Sequence, residues 1–155
     1  MKKVKDYMKK RVIYFSPEDS VFKTAKVLSK HNISGAPVVK NGKVVGVISD
    51  TDVIKFIRLK VPGQGILTHE PHMLTLLVMN LLKGQIDFKR ELKRISKIKV
   101  KDIMCKDIIS VSLEASILEA AELMEKYDVT RLPVIEKGKL RGIISKTDMI
   151  RALIE

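Results

Sequence analysis

Residues 46–52 read GVISDTD, and residues 142–148 read GIISKTD. Both stretches belong to an internal repeat, in which residues 4–58 align with residues 100–154 without a gap, at a constant offset of 96. Roughly 21 of the 55 aligned pairs are identical, and an internal repeat decides the architecture before any other signal. Because two copies are too few for a solenoid, the sequence predicts a pseudo-symmetric pair of lobes.

The start of each copy predicts a strand followed by a helix. In the first copy, residues 12–15 are a short β-rich run. Ser16 is the expected N-cap of the helix, and Pro17 is expected at the first helical position, which suits its fixed φ. In the second copy Ser112 keeps the cap, and the proline is lost.

The rest of each copy predicts a hairpin and a final helix. Residues 36–39 and 44–48 are apolar strands, and Asn41-Gly42 between them tolerates the positive φ of a tight turn. The strand 44–48 is too continuously apolar to have a wet face, so we expect it to be buried on both sides. A helix follows from Ser49. The predicted fold class is therefore α/β (α+β), with two pseudo-symmetric βαββα lobes that pack sheet to sheet because neither lobe can bury its sheet alone.

The repeat also predicts the domain boundaries. Residues 1–60 form the first repeat, 61–98 a helical insert or linker, and 99–155 the second repeat. The apolar helical pattern at residues 72–82 is expected to be buried, against its own chain or in a dimer contact, with a site for a partner protein as the alternative.

The composition is typical of a soluble globular chain with a strong positive charge. The 30 Lys and Arg residues exceed the 18 Asp and Glu residues, which gives a net charge of +12. The electrostatic field of such a charge attracts anions. The alternative is that the lysine-rich surface reflects heat adaptation, of which it is also typical.

Several other classes of protein are disfavoured by the sequence. No apolar segment reaches the ~20 residues that span a bilayer, and no apolar stretch follows Met1 as in a secretory leader. We therefore expect a cytoplasmic protein with no membrane partner. The lone Cys105 excludes an intramolecular disulfide. No metal site is predicted, because a proline interrupts the only histidine cluster, residues 69–72.

The Thr-Asp pair that ends each repeated motif predicts a ligand site. Thr51-Asp52 and Thr147-Asp148 are expected at a helix start, where free amide groups and the helix dipole favour an anion. The threonine hydroxyl adds a donor for phosphate, and a carboxylate can accept two hydrogen bonds from the vicinal diol of a ribose. A plain helix cap is the alternative, and the occurrence of the motif in both copies favours the ligand site.

The chain resembles a cystathionine-β-synthase (CBS) domain pair, also called a Bateman module. The resemblance covers both repeats and rests on Met8 and Met104, on APV at residues 36–38, on LPV at residues 132–134, and on the two motifs quoted above. It implies βαββα lobes related by a pseudo-twofold axis, with two clefts between them that bind adenosine ligands.

The resemblance also implies a role for each matching residue. Asp52 and Asp148 would hold the ribose hydroxyls. The other implied contacts are with the phosphates, from Ser49, Thr51, Ser145, Thr147, Arg131 and Lys146, and with adenine, from Ile13, Ala36, Pro37, Ile109, Leu132 and Pro133.

The two copies differ near this predicted site. Gly35 is matched by Arg131, and Asp50 is matched by Lys146. Because arginine suits bidentate contact with phosphate, we expect one cleft to favour a charged nucleotide more than the other. A surface salt bridge is the alternative role of Arg131.

The sequence therefore predicts a stand-alone regulatory module and not an enzyme. AMP, ADP or ATP would bind between the repeats and shift their arrangement, and a second copy in a homodimer or an unidentified effector protein would respond. No catalytic residue or catalytic cofactor is predicted, because no nucleophile elbow or P-loop is present. The alternatives are S-adenosylmethionine or methylthioadenosine as ligand, and electrostatic binding of nucleic acid, against which the aromatic content of 5% argues.

Overall fold

The computed structural model describes residues 1–60 and 97–155 of the chain. The helical insert predicted between the repeats lies almost entirely outside these ranges. The predicted division into three domains stays a prediction.

The helices and strands of the two described parts follow the same order. The first part forms α1 (Val4–Tyr7), α2 (Val21–Lys30), β1 (Gly35–Lys40), β2 (Lys43–Ser49) and α3 (Asp50–Lys60). The second part forms α4 (Val100–Ile103), α5 (Ile117–Lys126), β3 (Arg131–Glu136), β4 (Lys139–Ser145) and α6 (Lys146–Ile154). Each of the second set begins 96 residues after its counterpart, so the sequence repeat is also a structural repeat.

The four strands form one antiparallel sheet in the order β1-β2-β4-β3. Each half contributes a hairpin, β1–β2 or β3–β4. The hairpins meet where Lys43 pairs with Lys139, next to a hydrogen bond of 3.0 Å from the Val44 amide to the Gly138 carbonyl. The predicted fold class, two pseudo-symmetric α/β lobes joined through their sheets, is confirmed.

The predicted first strand of each copy is shorter than expected. Phe15 pairs in parallel with Val38 of β1, and the second half has the matching bridge 96 residues later. In the first half the pairing stops at once, because the next amide, that of Ser16, donates to the carboxylate of Asp19 at 2.8 Å. The β-rich run thus supplies one bridge residue and not a strand.

The prediction of the helix starts was wrong by one turn. The N-caps of α2 and α5 are Ser20 and Ser116, and not Ser16 and Ser112; each capping side chain accepts a hydrogen bond from the amide three residues on. Ser16 lies in a preceding turn, where its carbonyl accepts a hydrogen bond from the Asp19 amide at 3.0 Å.

The hydrophobic cores show that the two halves exchange their N-terminal segments. Val4 of α1 is fully buried in the core of the second half, against residues of α5, β3, β4 and α6. Val100 of α4 is fully buried in the core of the first half, with Phe15, Leu28 and Ile48. Neither half completes its core without a residue from the other. Within residues 1–60 and 97–155, no helix is both long and apolar enough to cross a membrane.

The segments that follow α1 and α4 continue this exchange. Lys9 pairs with Ile143 of β4, and Cys105 pairs with Val47 of β2. Each pair is joined by two backbone hydrogen bonds of 2.9 Å. The central strand of each half is therefore flanked by backbone from the other half.

Two glycines make this close approach sterically possible. A Cβ atom on Gly46 would lie 2.8 Å from Sδ of Met104, and one on Gly142 would lie 2.6 Å from Sδ of Met8. Each would also come within 2.8 Å of a backbone carbonyl oxygen of the exchanged segment. The glycine of each repeated motif thus leaves room for the segment from the other half.

Candidate functional site

The repeated motif forms the junction of strand and helix in both halves. The amide and hydroxyl of Ser49 each donate to Oδ2 of Asp52 at 2.9 Å, and the Asp52 amide donates to Oγ of Ser49 at 3.2 Å. Ser145 and Asp148 make the same three hydrogen bonds, of 2.9, 2.6 and 3.2 Å. The helix cap considered as the alternative is therefore present in both copies. Since the cap uses Oδ2, a ligand hydroxyl would be bound through Oδ1.

The two aspartates differ in burial. Asp148 is only 3% exposed, whereas Asp52 is half-buried. Nη2 of Arg151 lies 3.5 Å from Oδ1 of Asp148 and donates to the Tyr7 carbonyl at 3.0 Å. A buried carboxylate is stable when a cation and hydrogen bonds compensate for lost hydration, and Arg151 and Ser145 supply both.

A cavity of about 470 Å³ lies beside Asp148, between the two halves. We call it the larger cavity. Its first-half side consists of Lys9, Arg11, Val12, Ile13, Ile33 and Gly35. Its second-half side consists of Thr130, Arg131, Ile143, Ser145, Lys146, Thr147 and Asp148. Apolar side chains together with cations and hydroxyl donors in one cavity would suit a ligand with a flat apolar part and an anionic part.

A second cavity, of about 290 Å³, lies on the equivalent side of the first half. We call it the smaller cavity. Its first-half lining is Ser34, Gly35, Ala36, Pro37, Val47, Ser49, Asp50 and Thr51. Its second-half lining is Asp128, Val129, Thr130, Arg131, Pro133 and Ile143. Several of these residues are the offset-96 counterparts of residues in the larger cavity, so the two cavities are related by the internal symmetry.

The two cavities share a wall. Gly35, Thr130, Arg131 and Ile143 line both of them. Gly35 has no room for a side chain, because a Cβ atom there would lie 2.9 Å from the Ile48 carbonyl oxygen. The matching residue in the second repeat is Arg131, which places one cation in the lining of both cavities.

The structure brings most of the predicted site residues together in these two cavities. The larger cavity contains Ile13, Arg131, Ser145, Lys146, Thr147 and Asp148. The smaller cavity contains Ala36, Pro37, Ser49, Thr51, Arg131 and Pro133. Three predicted residues line neither cavity: Asp52 makes the same cap bonds as Asp148 but is absent from the lining, Ile109 packs against the core of the second half, and Leu132 is fully buried in that core.

Sequence reasoning missed Lys9 and Arg11, which line the larger cavity. They lie at this cavity because Lys9 pairs with Ile143 of the other half, and a local sequence pattern does not predict such a long-range contact. A signal was nevertheless present, since their counterparts at the repeat offset are Cys105 and Asp107, which carry no positive charge.

Metal binding has no visible basis in this part of the molecule. Among the described residues, no group of three or more His, Cys, Asp or Glu side chains is placed to hold a metal ion. The histidine cluster considered in the sequence, residues 69–72, lies outside them.

The internal symmetry, the exchanged segments and the paired cavities agree with one family of domains. The model of the CBS domain matches residues 4–59 and 100–155. The chain belongs to the CBS domain family. The resemblance drawn from the sequence is thereby confirmed, and the two halves are its two CBS repeats.

Relatives and solved structures cover nearly the whole CBS domain pair. An uncharacterized protein of Methanocaldococcus jannaschii is 35% identical over 153 residues, which span 97% of this chain and 90% of that protein. The crystal structure of CBSX2 in complex with AMP has a TM-score of 0.70 at 24% identity, and the match covers 99% of this chain and 97% of that one.

A second structural neighbour contains other adenosine compounds. It is the CBS domain pair of protein MJ0100 in complex with 5′-methylthioadenosine and S-adenosyl-L-methionine, with a TM-score of 0.66 at 24% identity, and the match covers 99% of this chain and 96% of that one. At these identities the neighbours show a common fold. The chain spans less than half of the length of several other curated relatives.

Proposed function

We propose that this CBS domain pair is a regulatory module that binds an adenosine-containing ligand, AMP, ADP or ATP, between its two repeats. The observation that carries the proposal is the larger cavity, because its lining comes from both repeats. A ligand there touches the segment at residues 9–13 of one repeat and the Thr147-Asp148 pair of the other. Two neighbours of the same fold contain adenosine compounds, which supports this ligand class.

The lining suggests how the ligand is held. Oδ1 of Asp148 accepts from a ribose hydroxyl, while Oδ2 keeps its bonds to Ser145. Thr147 donates to a phosphate. The apolar side chains of Ile13 and Ile143 enclose the adenine ring. In the smaller cavity Thr51 is at the position equivalent to Thr147. Asp52 does not line this cavity, so it can contact a ligand there only if the start of α3 moves.

A ligand of this kind regulates through differential affinity. It favours the arrangement of the repeats in which both sides of the cavity contact it. The response is then read by a second copy in a homodimer or by an effector protein. We propose no catalytic turnover for this module.

The proposal is tested by thermal unfolding at fixed salt with AMP, ADP, ATP, S-adenosylmethionine, methylthioadenosine and GTP. A ligand at about 100 times its Kd stabilises the native state by about 2.7 kcal/mol, which raises Tm by roughly 5–10 °C for a chain of this size. We expect a shift with adenine nucleotides and none with GTP. A shift confined to S-adenosylmethionine or methylthioadenosine would replace the nucleotide by those ligands, and no shift with any adenosine compound would contradict the proposal.

A pair of variants separates ligand binding from helix capping. Asp148→Asn removes the carboxylate charge in the larger cavity and should abolish most of the ligand-induced shift. Glu119→Gln changes the corresponding carboxylate of the α5 capping box, where Glu119 and Ser116 make the same reciprocal bonds. Glu119 lines neither cavity, so this control should lower Tm without ligand and leave the ligand-induced shift intact. Equal ligand-induced shifts in both variants would rule out the ribose contact.

A further inference from the structure

The charges that line the two cavities have opposite signs. Among the described residues, the larger cavity has the cations Lys9, Arg11, Arg131 and Lys146 and the single carboxylate of Asp148. The smaller cavity has Arg131 as its cation, with the carboxylates of Asp50 and Asp128. Arg131 is common to both, so the difference between the cavities comes from the other residues.

The difference in charge corresponds to residues at matched positions of the repeat. Lys9 and Arg11 correspond to Cys105 and Asp107, and Lys146 corresponds to Asp50. At each of these positions a cation on the larger cavity is replaced, in the other copy, by a neutral or an acidic residue. Of these counterparts, Asp50 lines the smaller cavity, whereas Cys105 and Asp107 do not.

Asp50 also occupies the donors that a phosphate would use. The Thr51 amide donates to Oδ1 of Asp50 at 2.7 Å, and the Thr51 hydroxyl lies 3.4 Å from the same oxygen. In the other repeat Lys146 stands next to Thr147, so that an ammonium group and not a carboxylate accompanies these donors. A phosphate at Thr51 would have to displace a carboxylate and then lie beside it, whereas one at Thr147 gains a cation.

We infer that the larger cavity takes the polyphosphate nucleotide and that the smaller cavity takes an adenosine compound without a phosphate chain. This inference rests on the proposed function and assigns a ligand class to each cavity. Lys9, Arg11 and Lys146 are the residues that set the specificity, together with Arg131. Asp50 and Asp128 exclude polyphosphate from the smaller cavity by like-charge repulsion.

The test is isothermal titration calorimetry of the whole chain with ATP and with methylthioadenosine, at fixed ionic strength. We expect one ATP per chain. Lys146→Asp introduces the residue found at this position in the first repeat. It should weaken ATP binding about ten- to a hundredfold, because it removes a charged donor to phosphate, and hydrogen bonds to charged groups are stronger than those between neutral groups. The same variant should change the Kd for methylthioadenosine less than about twofold.

The reciprocal variant and a charge control complete the test. Asp50→Lys should add a second ATP per chain. Lys26→Glu changes the net charge as much as Lys146→Asp does, on an exposed position of α2 that lines neither cavity, and should leave both affinities unchanged.

The outcomes distinguish this inference from the function on which it rests. Two equivalent ATP molecules per unmodified chain, or equal losses of both ligands in Lys146→Asp, would overturn the inference and leave an adenosine-binding module. Failure of both compounds to bind the unmodified chain would overturn the proposed function as well.

Discussion

Single serine side chains decide where the main helices of this molecule begin. Ser20 and Ser116 cap α2 and α5, although Ser16 and Ser112 also suit that role by residue type. In the second repeat the correct N-cap could be predicted from the sequence, because Ser116 and Glu119 have the S-x-x-E spacing of a capping box. The first repeat has Lys23 at the position of Glu119 and therefore offers no such signal.

Ser116→Ala should lower the free energy of unfolding by about 1 kcal/mol, the usual cost of a lost N-cap. Its side chain accepts the Glu119 amide at 3.1 Å, and no alternative acceptor is provided by alanine. The matched control is Ser112→Ala, an exposed position outside the helix, which should stay within about 0.5 kcal/mol of the unmodified chain. Urea denaturation measures both, and equal losses would mean that Ser112 shares the capping role.

The candidate site could be predicted from the sequence where its residues belong to the repeated motif. Ser145, Thr147 and Asp148 follow one another in the chain, and the local pattern is sufficient to place them together. Lys9 and Arg11 could not be found in this way, because their position depends on a pairing with the other repeat. The side chain of Leu132, assigned to adenine by resemblance, is fully buried in the core, and its contact with adenine stays a prediction.

At the scale of elements, the two hairpins have equivalent turns with unequal sequences. Asn41 has φ of 51° and Gly42 of 75°, and Lys137 has φ of 50° and Gly138 of 78°. Asparagine tolerates the left-handed region better than lysine does, and Asn-Gly is the favoured pair for such a turn. The strain is therefore located at Lys137.

Lys137→Asn should raise the free energy of unfolding by about 0.5–1 kcal/mol, part of the roughly 1–2 kcal/mol that the left-handed conformation costs an ordinary residue. The midpoint of urea denaturation measures the effect. The reciprocal variant, Asn41→Lys, should be destabilising by a similar amount. If both substitutions shifted the midpoint in the same direction, the assignment of strain to Lys137 would be wrong.

Elements with strong local signals were the predictable part of the fold. The hairpins and the helices that follow them were all correctly placed, because apolar runs and turn residues mark them. The first strand was overestimated, because residues 12–15 have β-forming side chains but only Phe15 finds a backbone partner in the sheet. The exchange of N-terminal segments was not predicted, since it depends on contacts between residues far apart in the chain.

At the scale of the whole molecule, two glutamates hold the exchanged segments. Glu18 is paired with Lys99 and Lys101 of the other repeat, and Glu114 is paired with Lys3 and Lys5. Hydrogen bonds from the lysines lower the pKa of each of these glutamates to about 2. All four ion pairs join one repeat to the other.

These ion pairs predict a loss of stability in acid. Because the folded pKa of about 2 lies below the ordinary value of 4.5, the contribution is complete above about pH 4.5 and disappears as the pH falls towards 2. The double variant Glu18→Gln/Glu114→Gln should therefore flatten the dependence of Tm on pH in this window, and high salt should reduce the difference, since both carboxylates are exposed.

The control for this dependence of Tm on pH is Glu125→Gln, at an exposed position of α5 outside the exchanged segments. It should leave the slope of Tm against pH as it is in the unmodified chain. An unchanged slope in the double variant would show that the loss of stability in acid arises elsewhere.

The reciprocal exchange of N-terminal segments is the contact pattern of a symmetric dimer whose subunits have been fused into one polypeptide. In a dimer of identical chains every substitution appears twice, so both binding sites must change together. Fusion removes that constraint, because a codon in one repeat no longer dictates the other. The covalent link between the repeats is thus what permits the lining of the larger cavity to be basic while that of the smaller cavity is acidic.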